Sequence, residues 1–126
     1  MNTKKRILIV EDEIALLSIL HKKLESEEFT VFDAKNGEQG FEIALQEKPD
    51  LILLDIVMPV MDGITMLKKL RTESEWGKNA KVIMLTNLSD SEKVAEAMLF
   101  GFHSYLVKSD WKINDVVQKV KEKLEL

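Results

Sequence analysis

The chain has no cysteine, and none of its apolar runs is long enough to cross a membrane. Without cysteine it has neither disulfide bonds nor a thiolate metal site, which suits a reducing compartment. The basic start, Lys4-Lys5-Arg6, is followed by only four apolar residues before Glu11, whereas a secretory signal needs roughly 7–15 and a membrane span roughly 20. We therefore expect a soluble cytoplasmic protein that does not contact a membrane.

The chain also lacks a block of positive charge. Its 18 Lys and Arg residues are outnumbered by 22 Asp and Glu residues, and the formal net charge is -4. No basic cluster is available to follow a phosphate backbone, so we expect no direct nucleic-acid partner. A length of 126 residues, 45% of them hydrophobic, is typical of one globular domain. We expect a single domain over residues 1–126, with no output domain in this chain.

Five short apolar stretches rich in β-branched residues alternate with five stretches of helical period. This alternation is typical of an α/β fold in which helices cover both faces of a parallel sheet. The predicted strands are residues 6–10, 30–34, 51–54, 81–85 and 104–107. The first, third and fourth are almost wholly apolar, which predicts central strands that are buried on both faces.

Capping and stop signals delimit the predicted helices. The first helix starts near Asp12 as its N-cap, and the second stops before Pro49. The fourth starts in a capping box at residues 89–92 and stops at Gly101. The residues predicted to face the core are Ile14, Leu17, Leu20 and Leu24, then Phe41, Ala44 and Leu45, then Ile64, Leu67 and Leu70, then Val94, Ala97 and Met98, and finally Ile113, Val116, Val117, Val120 and Leu124.

Chemically functional residues follow four of the predicted strands. Glu11 and Asp12 follow the first, Asp55 the third, Thr86 the fourth and Lys108 the fifth. Because the carboxyl ends of parallel strands lie along one edge of a sheet, we expect these side chains to share a pocket. Asp55 is central, since a carboxylate placed at a loop by four buried aliphatic residues is costly to desolvate without a cation or hydrogen-bond donors.

Three acids in one pocket favour a bound cation. Glu11, Asp12 and Asp55 would repel one another in a partly dry site. Oxygen ligands favour a hard ion, and we predict Mg²⁺, with Mn²⁺ able to replace it. A carboxylate held by a metal beside Lys108 and Thr86 is suited to accept a phosphoryl group, with Asp55 as the nucleophile.

Together these residues resemble the receiver domain of two-component response regulators. The resemblance is carried, in order along the whole chain, by Glu11-Asp12, Asp55-Ile56-Val57-Met58-Pro59, Asp62-Gly63, Thr86, Tyr105 and Lys108. It implies a CheY-like, doubly wound parallel sheet of five strands in the order 2-1-3-4-5 with five helices. It also implies that a sensor histidine kinase or a phosphotransfer protein supplies the phosphoryl group from a phosphohistidine.

The resemblance assigns the metal ligands and the acceptor. Asp55 is implied to be the phosphoacceptor. Asp12 and Asp55 would bind Mg²⁺ directly, Glu11 would bind it through water, and Val57 would contribute its backbone carbonyl. The domain is then expected to be a switch that assists its own phosphorylation and dephosphorylation, and not an enzyme.

The resemblance also implies how the phosphoryl group is held and how the signal leaves the site. Thr86 and Lys108 would bind phosphoryl oxygens, helped by the backbone N–H of Asn87, and Tyr105 would swing inward as Thr86 closes. The face formed by the fourth helix, fifth strand and fifth helix would contact a downstream protein or a missing output domain. A monomer or a phosphorylation-dependent dimer is expected.

Two positions depart from the family pattern. Many receivers follow the lysine with a proline in a cis bond, whereas Ser109 follows Lys108 here. A cis bond without proline costs about 2.5–4 kcal/mol, so either this strain is held or the loop relaxes and Lys108 is aimed less securely. The residue after the switch threonine is commonly small, and here it is Asn87, whose side chain could crowd the entrance.

Each signal also has a structural explanation. Asp12 suffices as a helix cap, Thr86 as a β-branched strand residue, Lys108 as a surface lysine and Tyr105 as a half-buried aromatic. The pairs Met58-Pro59 and Asp62-Gly63 set turn geometry and are not ligands. His21 and His103 lack metal spacing and receive no role, while Trp76 and Trp111 are expected to be half-buried. The ordered coincidence of the other residues favours the receiver hypothesis.

Three other functions compete. An Asp-nucleophile phosphatase would need a second acid two residues after Asp55, where this chain has Val57. A flavodoxin-like or nucleotide-binding domain would need a Gly-rich first turn, whereas the turn here is Glu11-Asp12-Glu13 and would repel phosphate. A degenerate receiver that binds partners without phosphorylation is disfavoured by the intact acids.

Overall fold

The computed structural model describes residues 4–87 and 90–126. Its strands are β1 Arg6–Val10, β2 Thr30–Ala34, β3 Leu51–Asp55, β4 Val82–Thr86 and β5 Ser104–Val107. Its helices are α1 Ile14–Ser26, α2 Gly37–Glu47, α3 Gly63–Glu73, α4 Ser91–Met98 and α5 Ile113–Lys123, with a 3₁₀ helix at Trp76–Asn79 between α3 and β4. Within the described residues, no helix combines the length and apolar character needed to cross a bilayer.

The strands form one parallel sheet in the order β2-β1-β3-β4-β5, which confirms the predicted fold class. β1, β3 and β4 occupy the centre, and nearly all of their residues are buried. β2 and β5 form the edges and are partly exposed. The almost wholly apolar strands are therefore the central ones, as predicted, because both of their faces are covered.

Helices cover the two faces of the sheet with separate sets of apolar side chains. On one face α1 and α5 pack on β1, β3 and β4, and the contacting residues include Leu17, Leu20 and Leu24 with Val116, Val117 and Val120. On the other face lie α2, α3 and α4, and the contacting residues include Ala44, Met66, Leu67, Leu70 and Ala97. Trp111 packs on the first set and Trp76 on the second, both half-buried as expected.

Three predicted core positions are wrong, because Ile14, Leu45 and, at the end of α4, Met98 are exposed. Ile14 is 65% exposed and Leu45 is 37% exposed. Ile14 lies in the first turn of α1, beside the end of β1, so it extends past the apolar surface of the sheet. In α2 the buried positions are Gly37, Gly40 and Ala44, which leaves Leu45 at the margin of the buried stripe.

Helix starts also differ from prediction. The N-cap position of α1 is Glu13, without a side-chain cap bond, so Asp12 is not the cap. For α4 the predicted capping box includes Ser89, which lies outside the described residues. Asp90 occupies the N-cap position of α4 but makes no cap bond to the helix. Met98 ends α4 and is 66% exposed, not in the core, while Gly101 follows with φ 83°.

Strand ends are displaced by one residue. β3 extends to Asp55, and β4 covers Val82–Thr86 in place of residues 81–85. Asp55 pairs with Leu85, and Thr86 pairs with Val107. Asp55 and Thr86 are therefore the last residues of their strands, held by the sheet itself and not by flexible loops.

Candidate functional site

The carboxyl edge of the sheet collects the polar residues that follow the strands. Glu11 comes directly after β1, Asp55 ends β3, Thr86 ends β4 and Lys108 comes directly after β5. Glu11, Asp55 and Thr86 are 0%, 2% and 1% exposed, although each carries a polar or charged side chain. Such burial requires partners, because an uncompensated buried charge is strongly unfavourable.

Three carboxylates converge at this edge. One oxygen from each of Glu11, Asp12 and Asp55 lies within 4.8 Å of the other two. Glu11 and Asp55 are buried whereas Asp12 is exposed, so the cluster opens to solvent on one side. Because Asp12 is not used as a helix cap, its carboxylate remains available to this cluster.

Lys108 reaches the same cluster. Its Nζ lies 2.8 Å from Glu11 Oε1 and 3.2 Å from Asp55 Oδ1. No cis peptide bond occurs in residues 4–87 or 90–126, so the loop takes the relaxed alternative at Lys108-Ser109. The Lys108 N–H donates to the Thr86 carbonyl (2.6 Å), and a turn follows in which the Asp110 N–H donates to the Val107 carbonyl (2.9 Å). Lys108 thus reaches Glu11 and Asp55 while its bond to Ser109 is trans.

The charges shift the proton affinities of these groups. Burial raises the pKa of Asp55 to about 7, and the nearby Glu11 charge adds to this effect against the opposing attraction of Lys108. Burial alone would lower the pKa of Lys108, but its bond to Glu11 and the charge of Asp55 outweigh burial and raise that pKa. The lysine is thus held as a cation between two acids that compete for it.

Thr86 and Tyr105 lie on the side of the site next to α4. The Thr86 Oγ1 donates a long hydrogen bond of 3.4 Å to the Leu106 carbonyl. Tyr105 is 50% exposed, and its ring contacts Phe102 edge-on with centroids 6.2 Å apart. A cavity of about 290 Å³ lies between Thr86, Tyr105 and Val94. The tyrosine therefore points outward, with space beside it.

The loop after Asp55 is fixed at both of its ends. The Ile56 N–H donates to Asp55 Oδ1 (2.9 Å), and the Gly63 N–H donates to the Ile56 carbonyl (2.7 Å). A Cβ at Gly63 would lie 2.0 Å from the Asp55 carbonyl oxygen, so this approach requires glycine. Asp62 caps α3 by accepting the Thr65 N–H at 2.8 Å. The segment sets geometry, as predicted from its turn residues.

Comparison with known proteins decides the family. A model described as "Response regulator receiver domain" matches residues 7–121. The chain belongs to the response regulator receiver domain family. Receiver domains of this family are phosphoacceptors in two-component signalling, and this confirms the resemblance and the functional class expected from the sequence.

Individual relatives of this receiver domain differ in length. The sporulation initiation phosphotransferase F of Bacillus subtilis is 33% identical over 97% of this chain and 95% of its own. The transcriptional regulatory protein SrrA of Staphylococcus aureus is 36% identical over 91% of this chain, which spans 46% of that relative. A CheY-like receiver domain protein of Methanospirillum hungatei is 32% identical over 98% of this chain and 95% of its own, with a TM-score of 0.88.

The receiver's predicted site residues fall into two groups. The structure brings together Glu11, Asp12, Asp55 and Lys108, while Thr86 lies at the end of the adjacent strand β4. The others are more peripheral: the side chains of Asn87 and Val57 are exposed, the latter by 51%, and Tyr105 faces outward.

Two supporting contacts of the receiver site have no sequence signal. The Gly37 N–H donates to the Met61 carbonyl at 2.8 Å, which ties the start of α2 to the loop after Asp55. A Cβ at Gly37 would lie 2.6 Å from that same oxygen, and this is a close approach that sequence spacing does not reveal. The side chain of Asp90 accepts the Asn87 N–H at 2.9 Å, which links α4 to the end of β4.

Proposed function

We propose that Asp55 accepts a phosphoryl group from a phosphohistidine on a sensor histidine kinase or phosphotransfer protein. One Asp55 oxygen forms the new O–P bond while the N–P bond breaks, and the imidazole leaves and regains a proton. The observation that carries this proposal is the convergence of Lys108 on Asp55 and Glu11 at 3.2 and 2.8 Å inside a buried acidic cluster. An ammonium in this place can neutralise charge that develops on the transferred group.

The acidic cluster fits Mg²⁺. All three side chains offer oxygen, the donor that Mg²⁺ prefers, and their oxygens lie within 4.8 Å of one another. Glu11 Oε1 is buried and pairs with Lys108 Nζ at 2.8 Å; because a carboxylate oxygen has two lone pairs, it retains capacity for a further partner. We infer that Asp12, Asp55 and the Val57 carbonyl bind the ion, that Glu11 does so through water, and that Mn²⁺ can replace it. When bound, the ion supplies positive charge to the incoming phosphoryl oxygens.

Thr86, Lys108 and the backbone N–H of Asn87 are proposed to bind the phosphoryl oxygens. Thr86 is suited to this because its present hydrogen bond, at 3.4 Å, is weak and easily exchanged. The cavity beside Val94 gives Thr86 room to move, and the half-exposed Tyr105 can turn into the same cavity. We propose that this pair couples the acceptor site to the outer surface.

The proposed signalling surface is the face formed by α4, β5 and α5. Met98, Leu99 and Tyr105 are 66%, 81% and 50% exposed, so this face presents apolar side chains to solvent. Exposed apolar groups of this kind favour contact with another protein. We infer that it binds a downstream protein or an output domain, or a second copy of the chain after phosphorylation. We also propose that residues 1–126 form one domain, which catalyses no reaction except its own phosphorylation and dephosphorylation.

The test uses acetyl phosphate as the phosphoryl donor. Intact-protein mass spectrometry with Mg²⁺ should show one added phosphoryl group on the natural chain, less without Mg²⁺, and none on Asp55→Asn. Asp110→Asn, an exposed aspartate outside the cluster, is the matched control and should be labelled like the natural chain. Labelling that persists in Asp55→Asn would move the acceptor elsewhere, and no labelling of the natural chain would favour a degenerate receiver.

A further inference from the structure

Arg71, in the last turn of α3, uses its guanidinium to bind backbone carbonyls. Its Nη1 donates to the carbonyls of Gly77 (2.6 Å) and Ala80 (2.9 Å). Its Nε donates to the carbonyls of Phe100 (3.1 Å) and Gly101 (3.2 Å), and its Nη2 donates to Gly101 (2.8 Å). One side chain thus joins the 3₁₀ helix region to the turn that follows α4, and burial lowers its pKa from the usual value.

The 3₁₀ helix whose carbonyls Arg71 binds is closely packed on the end of α3. A Cβ at Gly77 would lie 2.2 Å from the Leu70 carbonyl oxygen, so the 3₁₀ helix is pressed against the end of α3. The Gly77 N–H donates to Ser74 Oγ at 2.9 Å, and Trp76 packs on the core beside α3. The 3₁₀ helix and Arg71, which we call the anchor, are therefore held by α3 and the core, away from the acidic cluster.

The turn after the C-terminal end of α4 is hydrogen-bonded to Arg71 and packs on the core. Ala97 is fully buried, Phe100 packs on the core, and the Phe100 and Gly101 carbonyls accept from Arg71. Carbonyls that follow a helix carry partial negative charge, so a guanidinium placed there is also favoured electrostatically.

The N-terminal end of α4 is attached to the acceptor site instead. The Asn87 N–H donates to Asp90 Oδ2 at 2.9 Å, and the Asp90 N–H donates to the Asn87 carbonyl at 3.0 Å. Asn87 directly follows Thr86, and Val94 lines the cavity of about 290 Å³ that lies beside Thr86. These bonds connect the end of β4 to the N-terminal end of α4, and the cavity leaves space beside that end.

We propose that Arg71 is a positioning residue of the switch, which holds the C-terminal end of α4 in place so that a rearrangement at Thr86 turns the helix about that end. The inference rests on the proposed phosphorylation of Asp55. We call the bonds from Arg71 to the Phe100 and Gly101 carbonyls the Arg71 clamp. Without it, the same rearrangement would displace the whole of α4 and the turn at residues 99–101, and the exposed face would not adopt one defined position.

Amide hydrogen exchange with Mg²⁺, with and without beryllofluoride as a phosphoryl mimic, tests this. In the natural chain beryllofluoride should change exchange at residues 90–95 and leave the amides of Leu99, Phe100 and Gly101 unchanged. Arg71→Lys keeps the charge but loses the planar fork that serves two segments. In this variant those three amides should exchange about tenfold faster, and the beryllofluoride response should extend to them.

Two further variants control the experiment. Lys68→Gln changes an exposed lysine on α3 and should behave like the natural chain. Gly101→Ala strains the same turn, because Gly101 has φ 83°, although there is open space around its Cβ position. If Arg71→Lys folds poorly, Gly101→Ala serves in its place and should show the same exchange pattern.

Three outcomes would overturn the proposal. In the first, Arg71→Lys and Gly101→Ala lower the Tm but still respond to beryllofluoride at residues 90–95 only. Arg71 would then support the fold without positioning α4. The second is a natural chain that already responds at residues 99–101. The third is a natural chain with no response anywhere, which would remove the proposed function and this inference with it.

Discussion

Among single residues, Asp55 is the one whose ionised carboxylate is destabilised by its surroundings, and a bound cation would reduce this cost. Burial and the Glu11 carboxylate raise the pKa of Asp55 to about 7, against the attraction of Lys108. The ionised form is therefore costly in the absence of metal, although phosphoryl transfer needs that form as the nucleophile. Metal binding and proton binding should compete at this carboxylate, which links acceptor readiness to Mg²⁺.

The raised pKa of Asp55 predicts a pH-dependent gain in stability for Asp55→Asn in metal-free buffer. A carboxyl whose folded pKa lies above its unfolded value of 3.8 adds stability at low pH that is lost as pH rises towards about 7. The free energy of unfolding of Asp55→Asn should thus exceed that of the natural chain by more at pH 8 than at pH 5, and the two differences should differ by roughly 1–3 kcal/mol. A larger Tm difference at pH 8 reports this.

Thermal unfolding at both pH values, in a chelating buffer, measures this difference. Asp110→Asn, which changes an exposed aspartate outside the cluster, is the control for the substitution itself. Adding Mg²⁺ at pH 8 should stabilise the natural chain and reduce the advantage of Asp55→Asn. A constant advantage at all pH values would mean that the Asp55 carboxyl is not strained by its surroundings.

At the scale of elements, two histidines join neighbouring segments in opposite ways. His103 accepts the Val82 N–H on its Nδ1 (3.2 Å), which holds the start of β5 to β4 and requires a neutral ring nitrogen. His21, on α1, bonds Asp33 of β2 (2.7 Å) and Glu25 (3.2 Å), and two carboxylates favour the charged ring. Sequence inspection assigns neither a role, because a lone histidine reveals no partner.

The two histidines should titrate on opposite sides of the ordinary imidazole pKa. Burial, together with the positive charges of Arg71, Lys81 and Lys123, lowers the pKa of His103. For His21, burial lowers the pKa, but Asp33 and Glu25 outweigh it and raise the net value. NMR titration of the imidazole signals should give a value below 6.5 for His103 and above 6.5 for His21.

The signs for stability follow from these directions. The His103 contribution is present above its unfolded pKa of 6.5 and is lost as pH falls through its lower folded value. The His21 contribution is present below 6.5 and is lost as pH rises through its higher folded value. Asp33→Asn should lower the His21 value and leave His103 unchanged. The reverse order of the two pKa values would contradict these contacts.

Element boundaries show how far the sequence was informative. The order of strands and helices is readable because apolar runs and helical periods alternate cleanly. The exposure of Ile14 and Leu45 cannot be read from the sequence, since a helical period identifies residues that share a helix face but not where the sheet beneath ends. Asp12 resembles a helix cap in sequence, and only the position of Glu13 in three dimensions excludes that role.

At the scale of the whole molecule, the sheet order places the site. β1 and β3 are neighbours although β2 lies between them in the chain, so the connections diverge at this point and leave an opening at the carboxyl edge. Glu11 and Asp55 meet there, and this meeting was predictable from position alone. The Arg71 clamp and the Gly37 contact were not, because backbone carbonyls as partners leave no pattern in a sequence.

A crystal structure with Mg²⁺ and beryllofluoride would show directly whether Asp55 is the phosphoacceptor. We predict an ion bound by Asp12 and Asp55, with Glu11 reached through water, and beryllium on an Asp55 oxygen with its fluorides near Lys108 and Thr86. An Asp55 side chain without beryllium, turned away from Lys108 while the ion lies elsewhere, would show that Asp55 is not the phosphoacceptor.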